Sequence, residues 1–309
     1  MDLFSEFLEI ISHHPSISYL ELVNCAKLRG WNLDTTDLDE SAAAILPAWK
    51  ALATQRNLYS GRQSERTNGL TQIIPTGEIR TMEDPLAPEL VENFKFLFAS
   101  RIDLIGNAPL PLGDFLDDRC LGLSQCLLDI SRTILSQIYS DSTQEVQSYC
   151  YQRHSILMNR CLLRRTYCSS LDNSVTKNRN NQAWHQDTNQ QFQGLPMLTI
   201  WIPLQNSAGI LIPGLEIAQC HTDNFIHYFG DGVECLGNVF QAPEGSDIQT
   251  LVPTVQAGGS VAFNGLTFHR TYTTPQMIGL RDALLIRISL ESHSSFFPGD
   301  RSKDIFFDL

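Results

Sequence analysis

The chain has 309 residues, 42% hydrophobic and 18% charged, with 34 acidic residues against 22 basic ones and a formal net charge of −12. The apolar share excludes a disordered chain, and no run of about 18 apolar residues is present to cross a membrane. The acidic balance disfavours nucleic acid and anionic membrane surfaces as partners.

The first residues, Met1-Asp2-Leu3-Phe4-Ser5-Glu6, lack the basic start and unbroken apolar core of a signal peptide. Eight scattered cysteines form no Cys-x-x-Cys pair. Free thiols in a cytoplasmic, reducing location are therefore expected. Leu3, Phe4, Phe7, Leu8 and Ile11 are spaced by three and four, which predicts a one-sided helix. Ser18-Tyr19-Leu20-Glu21 reads as a capping box after Pro15, with Gly30 as the stop of the helix it opens. The acidic cluster Asp37-Leu38-Asp39-Glu40 precedes a third helical run, Ser41 to Leu46. Within this region, Cys25-Ala26-Lys27-Leu28-Arg29-Gly30-Trp31-Asn32-Leu33 and Asp37-Leu38 resemble the leader-peptide module of the nitrogen-fixation-linked (Nif-type) family. That match carries no catalytic signature, and the competing expectation is a helical extension.

Residues 55–85 are polar, with Gly61, Gly69, Pro75, Gly77 and Pro85, and are expected to form a loop or lid. Helical periodicity returns over Pro88–Ser100 and Leu121–Tyr139. Beyond about residue 153 the apolar runs shorten between Gly, Pro and Asn, which is strand grammar. The runs are Ile156–Leu163, Leu198–Leu204, Gly209–Ile212, Ser260–Phe263 and Ala283–Leu290. In the last of them Leu284, Ile286, Ile288 and Leu290 share one face and Arg287 and Ser289 the other. Helices first and short strands later predict a mainly β fold, a sandwich or jelly roll with helices packed outside. The expected division is a helical N-terminal extension over 1–95 and a β domain over 96–309 with its core at 155–295.

Trp184-His185-Gln186-Asp187 is the sharpest local feature. On an extended strand residues i and i+2 face the same way, so His185 and Asp187 direct an imidazole and a carboxylate at one point. Alone, such a triplet is common on surface strands. His269, soon after the strand-like Gly259–Asn264, offers a third ligand, and Arg281 stands just before the final alternating strand. Two imidazoles and one carboxylate on one face of a metal form the facial triad of non-haem Fe(II) oxygenases. A guanidinium in the same barrel offers a bidentate fork for a carboxylate cosubstrate.

Four segments then carry a definite resemblance. They are Asn181–Asp187; Leu198-Thr199-Ile200-Trp201-Ile202-Pro203-Leu204; Gly209–Gly214, ending in Ile-Pro-Gly; and Ala257–Ser260 through His269-Arg270-Thr271 to Arg281. In order and spacing the chain resembles the phytanoyl-CoA dioxygenase family of Fe(II)/2-oxoglutarate-dependent oxygenases over residues 155–295. The resemblance implies a double-stranded β-helix, the cupin-like jelly roll. It implies that His185, Asp187 and His269 bind Fe(II) and that Arg281 pairs with the distal carboxylate of 2-oxoglutarate. Thr271 matches an assisting hydroxyl, and Trp201 an aromatic lining the cosubstrate pocket. The implied reaction consumes O2, converts 2-oxoglutarate to succinate and CO2, and removes hydrogen from an unactivated C–H bond. Related halogenases carry a small residue where Asp187 stands, so hydroxylation is expected over halogenation, with desaturation or cyclisation open.

Each residue also has a plainer reading. His269 reads alternatively as a core histidine, Arg281 as a surface arginine and Trp201 as core packing. Arg270 and Arg287 compete with Arg281 as carboxylate partner, and Tyr167 is a further candidate contact for 2-oxoglutarate. His154, His221, His227 and His293 are expected to be structural or substrate-facing. Only five lysines and one arginine cluster, Arg160-Arg164-Arg165, favour a small polar biosynthetic intermediate over a CoA thioester. The polar stretch Gln219–Gln249 is expected to cover the iron and read that substrate, a cationic one included. The alternatives are a non-catalytic metal- and 2-oxoglutarate-binding protein, a hydroxylase of acyl-CoA or carrier-bound substrates, and a zinc hydrolase. Oligomeric state is left open.

Overall fold

The computed structural model describes residues 73–309 apart from 84, 106–108, 115–120, 169–181, 183, 189–196, 221–247 and 295–300. The chain divides into two compact units, Met1–Gly69 and Leu70–Leu309. The helices expected before residue 73, the Nif-type resemblance, and most of the 219–249 stretch with His221 and His227 lie outside the described residues.

The second unit is a mainly β jelly roll with helices packed outside. Its larger sheet takes β1 (Ile79–Met82), β2 (Leu110–Pro111), β3 (His154–Ile156), β4 (Leu162–Tyr167), β5 (Met197–Pro203), β8 (Ser260–Asn264), β10 (Leu280–Leu290) and β11 (Ile305–Phe307). Its order is β1-β8-β5-β10-β3-β11, with β4 also against β10 and β2 against β4. The smaller sheet is β7-β6-β9, made of Thr250–Leu251, Gly214–Ala218 and His269–Tyr272. Strand β10 organises the molecule: β5 pairs along one edge, and β4 and then β3 along the other.

Alternation sorts the side chains into two cores. Leu198, Ile200, Ile202, Ala262, Leu284, Ile286 and Ile288 face outward to Leu127, Ile130, Ile134 and Ile138 of helix α2 (Leu121–Ser140). Those helix residues recur at three and four, as a one-sided helix requires. Trp201, Val261, Phe263, Ala283 and Leu285 face inward, toward Leu215 and Ile217 of β6. Arg281, Arg287 and Ser289 share this inner face of β10, and all three are buried. Helix α1 (Pro88–Ile105) precedes β2, and two short helices, α3 (Gln144–Gln147) and α4 (Glu291–Ser294), complete the described set. Among the described residues no helix is long and apolar enough to cross a membrane.

Three segments differ from their sequence expectation. Residues 79–82, expected in a loop, form β1, because their backbone pairs with the free edge of β8 from Ile79↔Phe263 to Met82↔Ser260. That tetrapeptide is too short for its alternation to show. The strand expected over Ile156–Leu163 is interrupted by a 3-10 turn at Met158–Arg160, so β3 and β4 are separate. The apolar run Gly209–Ile212 is a turn, with Gly209 at φ +86° and the Gly209 N–H donating to the Ile212 carbonyl. It doubles back so tightly that a Cβ on Gly214 would lie 2.6 Å from the Gly209 Cα.

His154, on β3, is structural. Its Nε2 lies 2.8 Å from the Tyr139 hydroxyl, and its ring stacks on Phe307 at 5.5 Å. Burial pushes its pKa down to about 4, so it folds as a neutral ring. A base whose folded pKa is depressed contributes stability fully present above its unfolded pKa of about 6.5 and lost as pH falls toward 4. The acid loss assigned to His154 is about 3 kcal/mol. His154→Gln should remove it, which urea unfolding of both proteins at pH 7 and pH 4 measures.

Candidate metal centre

The segment ending at Asp187 runs antiparallel to β9. The His185 N–H donates to the His269 carbonyl, and the His269 N–H to the His185 carbonyl, each at 3.0 Å. This cross-strand pairing sets the two imidazoles side by side, with ring centroids 4.2 Å apart. Two residues on from His185, the Asp187 carboxylate comes to the same point, its Oδ2 3.9 Å from His269 Nε2. The ligand atoms of His185, Asp187 and His269 all lie within 4.8 Å of one another. A cation with bonds of about 2.1 Å gathers them with small side-chain shifts. Among the described residues this is the one group of three or more His, Cys, Asp or Glu side chains so placed.

Protonation suits a cation. His269 Nδ1 lies 3.0 Å from the Thr267 carbonyl. A carbonyl only accepts, so Nδ1 carries the hydrogen and Nε2 keeps its lone pair for the centre. Burial pushes the His269 pKa down despite the attraction of Asp187, so the ring is neutral at neutral pH. Burial alone would push Asp187 up. Arg287 first, then His269, His185 and the Thr199 hydroxyl, outweigh it and hold the carboxyl well below its ordinary range. The two carboxylate oxygens have separate tasks. Oδ1 accepts from Arg287 Nη2 at 2.5 Å, while Oδ2, on the His269 side, accepts from Thr199 Oγ1 at 2.7 Å. Arg287 is itself held by the Arg160 carbonyl. Thr199 fixes the oxygen that a metal would use, so Thr199→Val should weaken metal binding about tenfold. Calorimetric titration of both proteins with the same divalent ion measures this.

Arg281 is 2% exposed and stands beyond this cluster on the same inner face of β10. Its Nη1 donates to the Gly214 carbonyl and its Nη2 to the Thr166 hydroxyl, both at 2.7 Å, and its guanidinium lies 5.1 Å over the Trp201 ring. Its Nε is buried without a hydrogen-bond partner among the described residues. The neighbouring Asp282 points to the other face of the strand, where Arg165 grips it at 2.7 and 2.9 Å. Arg281 is therefore a buried cation with no carboxylate against it among the described residues. Burial, then the charge of Arg164, pushes its pKa down to about 9. Gly214 stands opposite Tyr272, three residues along β9 from His269, or roughly 10 Å of strand.

The other expected residues fall as follows. Trp201 is buried in the inner core beneath Arg281. Thr271 lies on the His269 face of β9, but its hydroxyl accepts from the Gln182 N–H at 3.1 Å. The hydroxyl on Arg281 is that of Thr166, which sequence reasoning missed. Its alternation within Leu162–Tyr167 was the available signal. Tyr167 takes the opposite face of β4 and hydrogen-bonds to Arg165. Arg270 points away from the cluster, bonded to Glu216 at 2.7 Å and stacked 4.8 Å over Trp184. Arg287, a rival to Arg281 for a carboxylate ligand, is engaged with Asp187. His293 lies in α4.

No family model matches the chain, and no curated protein sequence matches it. Solved structures do. The chain is similar to the non-heme alpha ketoglutarate dependent carbocyclase SnoK from nogalamycin biosynthesis, with a TM-score of 0.50 and 14% identity, covering 74% of this chain and 91% of that one. It is also similar to EctD from S. alaskensis, solved with 2-oxoglutarate and 5-hydroxyectoine (TM-score 0.44, 11% identity, 74% and 76% covered). A third is the epimerase SnoN in complex with Fe3+, alpha ketoglutarate and nogalamycin RO (TM-score 0.45, 12% identity, 68% and 78% covered). At these identities the likeness to SnoK supports the fold, and the site stands on its own geometry.

Proposed function

We propose that the chain is an Fe(II)/2-oxoglutarate-dependent dioxygenase of the phytanoyl-CoA dioxygenase type that hydroxylates a small polar molecule. One observation carries this reading. Two imidazoles and a carboxylate converge in the same barrel as a buried guanidinium that, among the described residues, touches no carboxylate. A zinc hydrolase has a use for the first of these and none for the second.

In this reading His185, Asp187 and His269 would hold the metal, and two imidazoles and one carboxylate on one side would leave coordination positions open for cosubstrate and O2. When bound, iron, O2 and 2-oxoglutarate supply the oxidising chemistry that takes hydrogen from a C–H bond and leaves succinate and CO2. The protein's own residues do the positioning. Arg287 occupies Asp187 Oδ1 and leaves Oδ2 to the metal. Thr267 fixes the tautomer of His269. Arg281, backed by Thr166 and Trp201, supplies the cationic end of the cosubstrate pocket, and its Nε–H is among the donors it can still give. Phe263, packed 4.7 Å from the His269 ring, and the inner core exclude water. With the metal bound, Asp187 would take the position that a halide would need, so oxygen transfer is the favoured outcome. Desaturation and ring closure begin with the same hydrogen removal.

Succinate release tests the reading. Protein supplied with Fe(II), 2-oxoglutarate and O2 should release succinate slowly on its own and faster with a substrate, and Asp187→Asn should abolish both. A protein that binds iron and 2-oxoglutarate yet releases no succinate would instead be the non-catalytic binding protein.

A further inference from the structure

Two of the three candidate ligands, His185 and Asp187, belong to no strand. His185 joins β9 through an isolated bridge to His269. The register continues across the small sheet. Ile217 of β6 stands opposite His269, and His269 opposite His185, so the three form one transverse row. This row faces the barrel interior, where Ile217 packs in the inner core. In the next row Glu216 stands opposite Arg270, and antiparallel register puts Trp184 opposite Arg270 in turn. By alternation that row faces the other way, directly behind the two imidazoles. Its three side chains are joined. Arg270 Nε donates to Glu216 Oε2 at 2.7 Å, and the guanidinium lies 4.8 Å over the Trp184 ring. Trp184 and Glu216 are both buried.

We propose that Arg270 is a positioning residue for the metal centre: anchored on β6 by Glu216, it holds Trp184 and thereby sets the place of His185 and Asp187. This rests on the metal-centre reading and adds to it a residue that faces away from the metal. A metal site tolerates ligand displacements of only about 0.2 Å. His269 is held within the sheet by its pairing to β6, whereas the segment of His185 and Asp187 has one bridge. Backbone hydrogen bonds from the Thr271 N–H to the Gln182 carbonyl and from the Thr188 N–H to the Gly265 carbonyl tie its two ends. The stack on Trp184 supports the middle, where the ligands are. Trp184 and His185 are chain neighbours on opposite faces, so a tilt that lifts the indole swings the imidazole. A flat guanidinium against a flat ring resists that tilt, and Glu216 keeps the guanidinium in its plane. Partners behind the ligands of a metal commonly set its affinity in this way.

The test reads metal binding to the full chain, with Co(II) as the probe because its visible bands follow ligand identity and geometry. Removing Arg270 alone would leave Glu216 buried without that partner, so the two are replaced together. Glu216→Leu with Arg270→Val removes the ion pair as a unit, a change that commonly preserves stability. In chelator the urea midpoint of this double variant should stay near that of wild type. Its Co(II) affinity should nevertheless fall about tenfold, with a change in the shape of the bands. Arg270→Lys keeps the charge opposite Glu216 and loses the flat stack, and should weaken Co(II) about threefold or more. It decides the question if the double variant is destabilised or unfolded. A stable double variant with wild-type affinity and bands overturns the positioning role and leaves the metal centre standing. So does an Arg270→Lys variant that binds Co(II) as wild type does. A wild-type chain that binds neither Co(II) nor Fe(II) removes the metal centre and this role with it.

Discussion

Replacing Asp187 with alanine is expected to abolish iron binding and to destabilise the metal-free protein by about 3–5 kcal/mol. The two effects have different causes. Iron binding fails because the facial set loses its one charged ligand. Stability falls because Arg287, 8% exposed, loses the carboxylate at its Nη2 and becomes a buried charge beside Arg160 and Arg164. The metal-free effect is the more informative of the two, since a surface triplet would show none. Asp187→Asn should retain shape and the Thr199 contact but still fail to bind iron. Adding Arg287→Met to Asp187→Ala should recover most of the lost stability, because removing both charges removes the desolvation cost as well. Urea unfolding of wild type, Asp187→Ala, Arg287→Met and the double variant, in chelator at pH 7, measures the cycle.

Arg281→Gln should have the opposite balance. The wild-type guanidinium is buried without a carboxylate among the described residues, so its loss should leave metal-free stability nearly unchanged. The relieved burial cost offsets hydrogen bonds to Gly214 and Thr166 of about 1 kcal/mol each. Affinity for 2-oxoglutarate should fall about 30-fold or more, as when one partner of a buried charge pair is truncated. Affinity for Fe(II) alone should change little. Calorimetric titration with Fe(II), and then with 2-oxoglutarate under anaerobic conditions, separates the two. A variant that weakens iron as much as the cosubstrate would place Arg281 in the metal cluster, contrary to the pocket described.

Much of this site was legible in residue order because strand parity is simple. The two-residue step from His185 to Asp187 holds in three dimensions, and so does the Leu–Ile stripe over 284–290, which packs against α2. The same parity put Arg281 and Arg287 on one face but could not say which of them meets a carboxylate within the protein. That depends on Asp187, 100 residues away from Arg287 in the chain. Thr166 escaped for the same reason, since its partner Arg281 lies 115 residues on. The Arg160-Arg164-Arg165 cluster read as one patch, whereas the structure splits it: Arg165 goes outward to Asp282, and Arg164 faces inward. Turns misled more than strands. Ile210 and Leu211 are apolar and half exposed, because the tight Gly209–Gly214 contact decides their backbone.

In the proposed function one centre holds iron and 2-oxoglutarate together. Adding Fe(II) and then 2-oxoglutarate to the purified, oxygen-free chain measures that directly. A visible charge-transfer band should rise to saturation at one equivalent of iron, and should be absent in His185→Ala and His269→Ala. A wild-type chain that develops no such band, or a band that persists at full strength without either histidine, would show that His185 and His269 do not hold iron and 2-oxoglutarate at this centre.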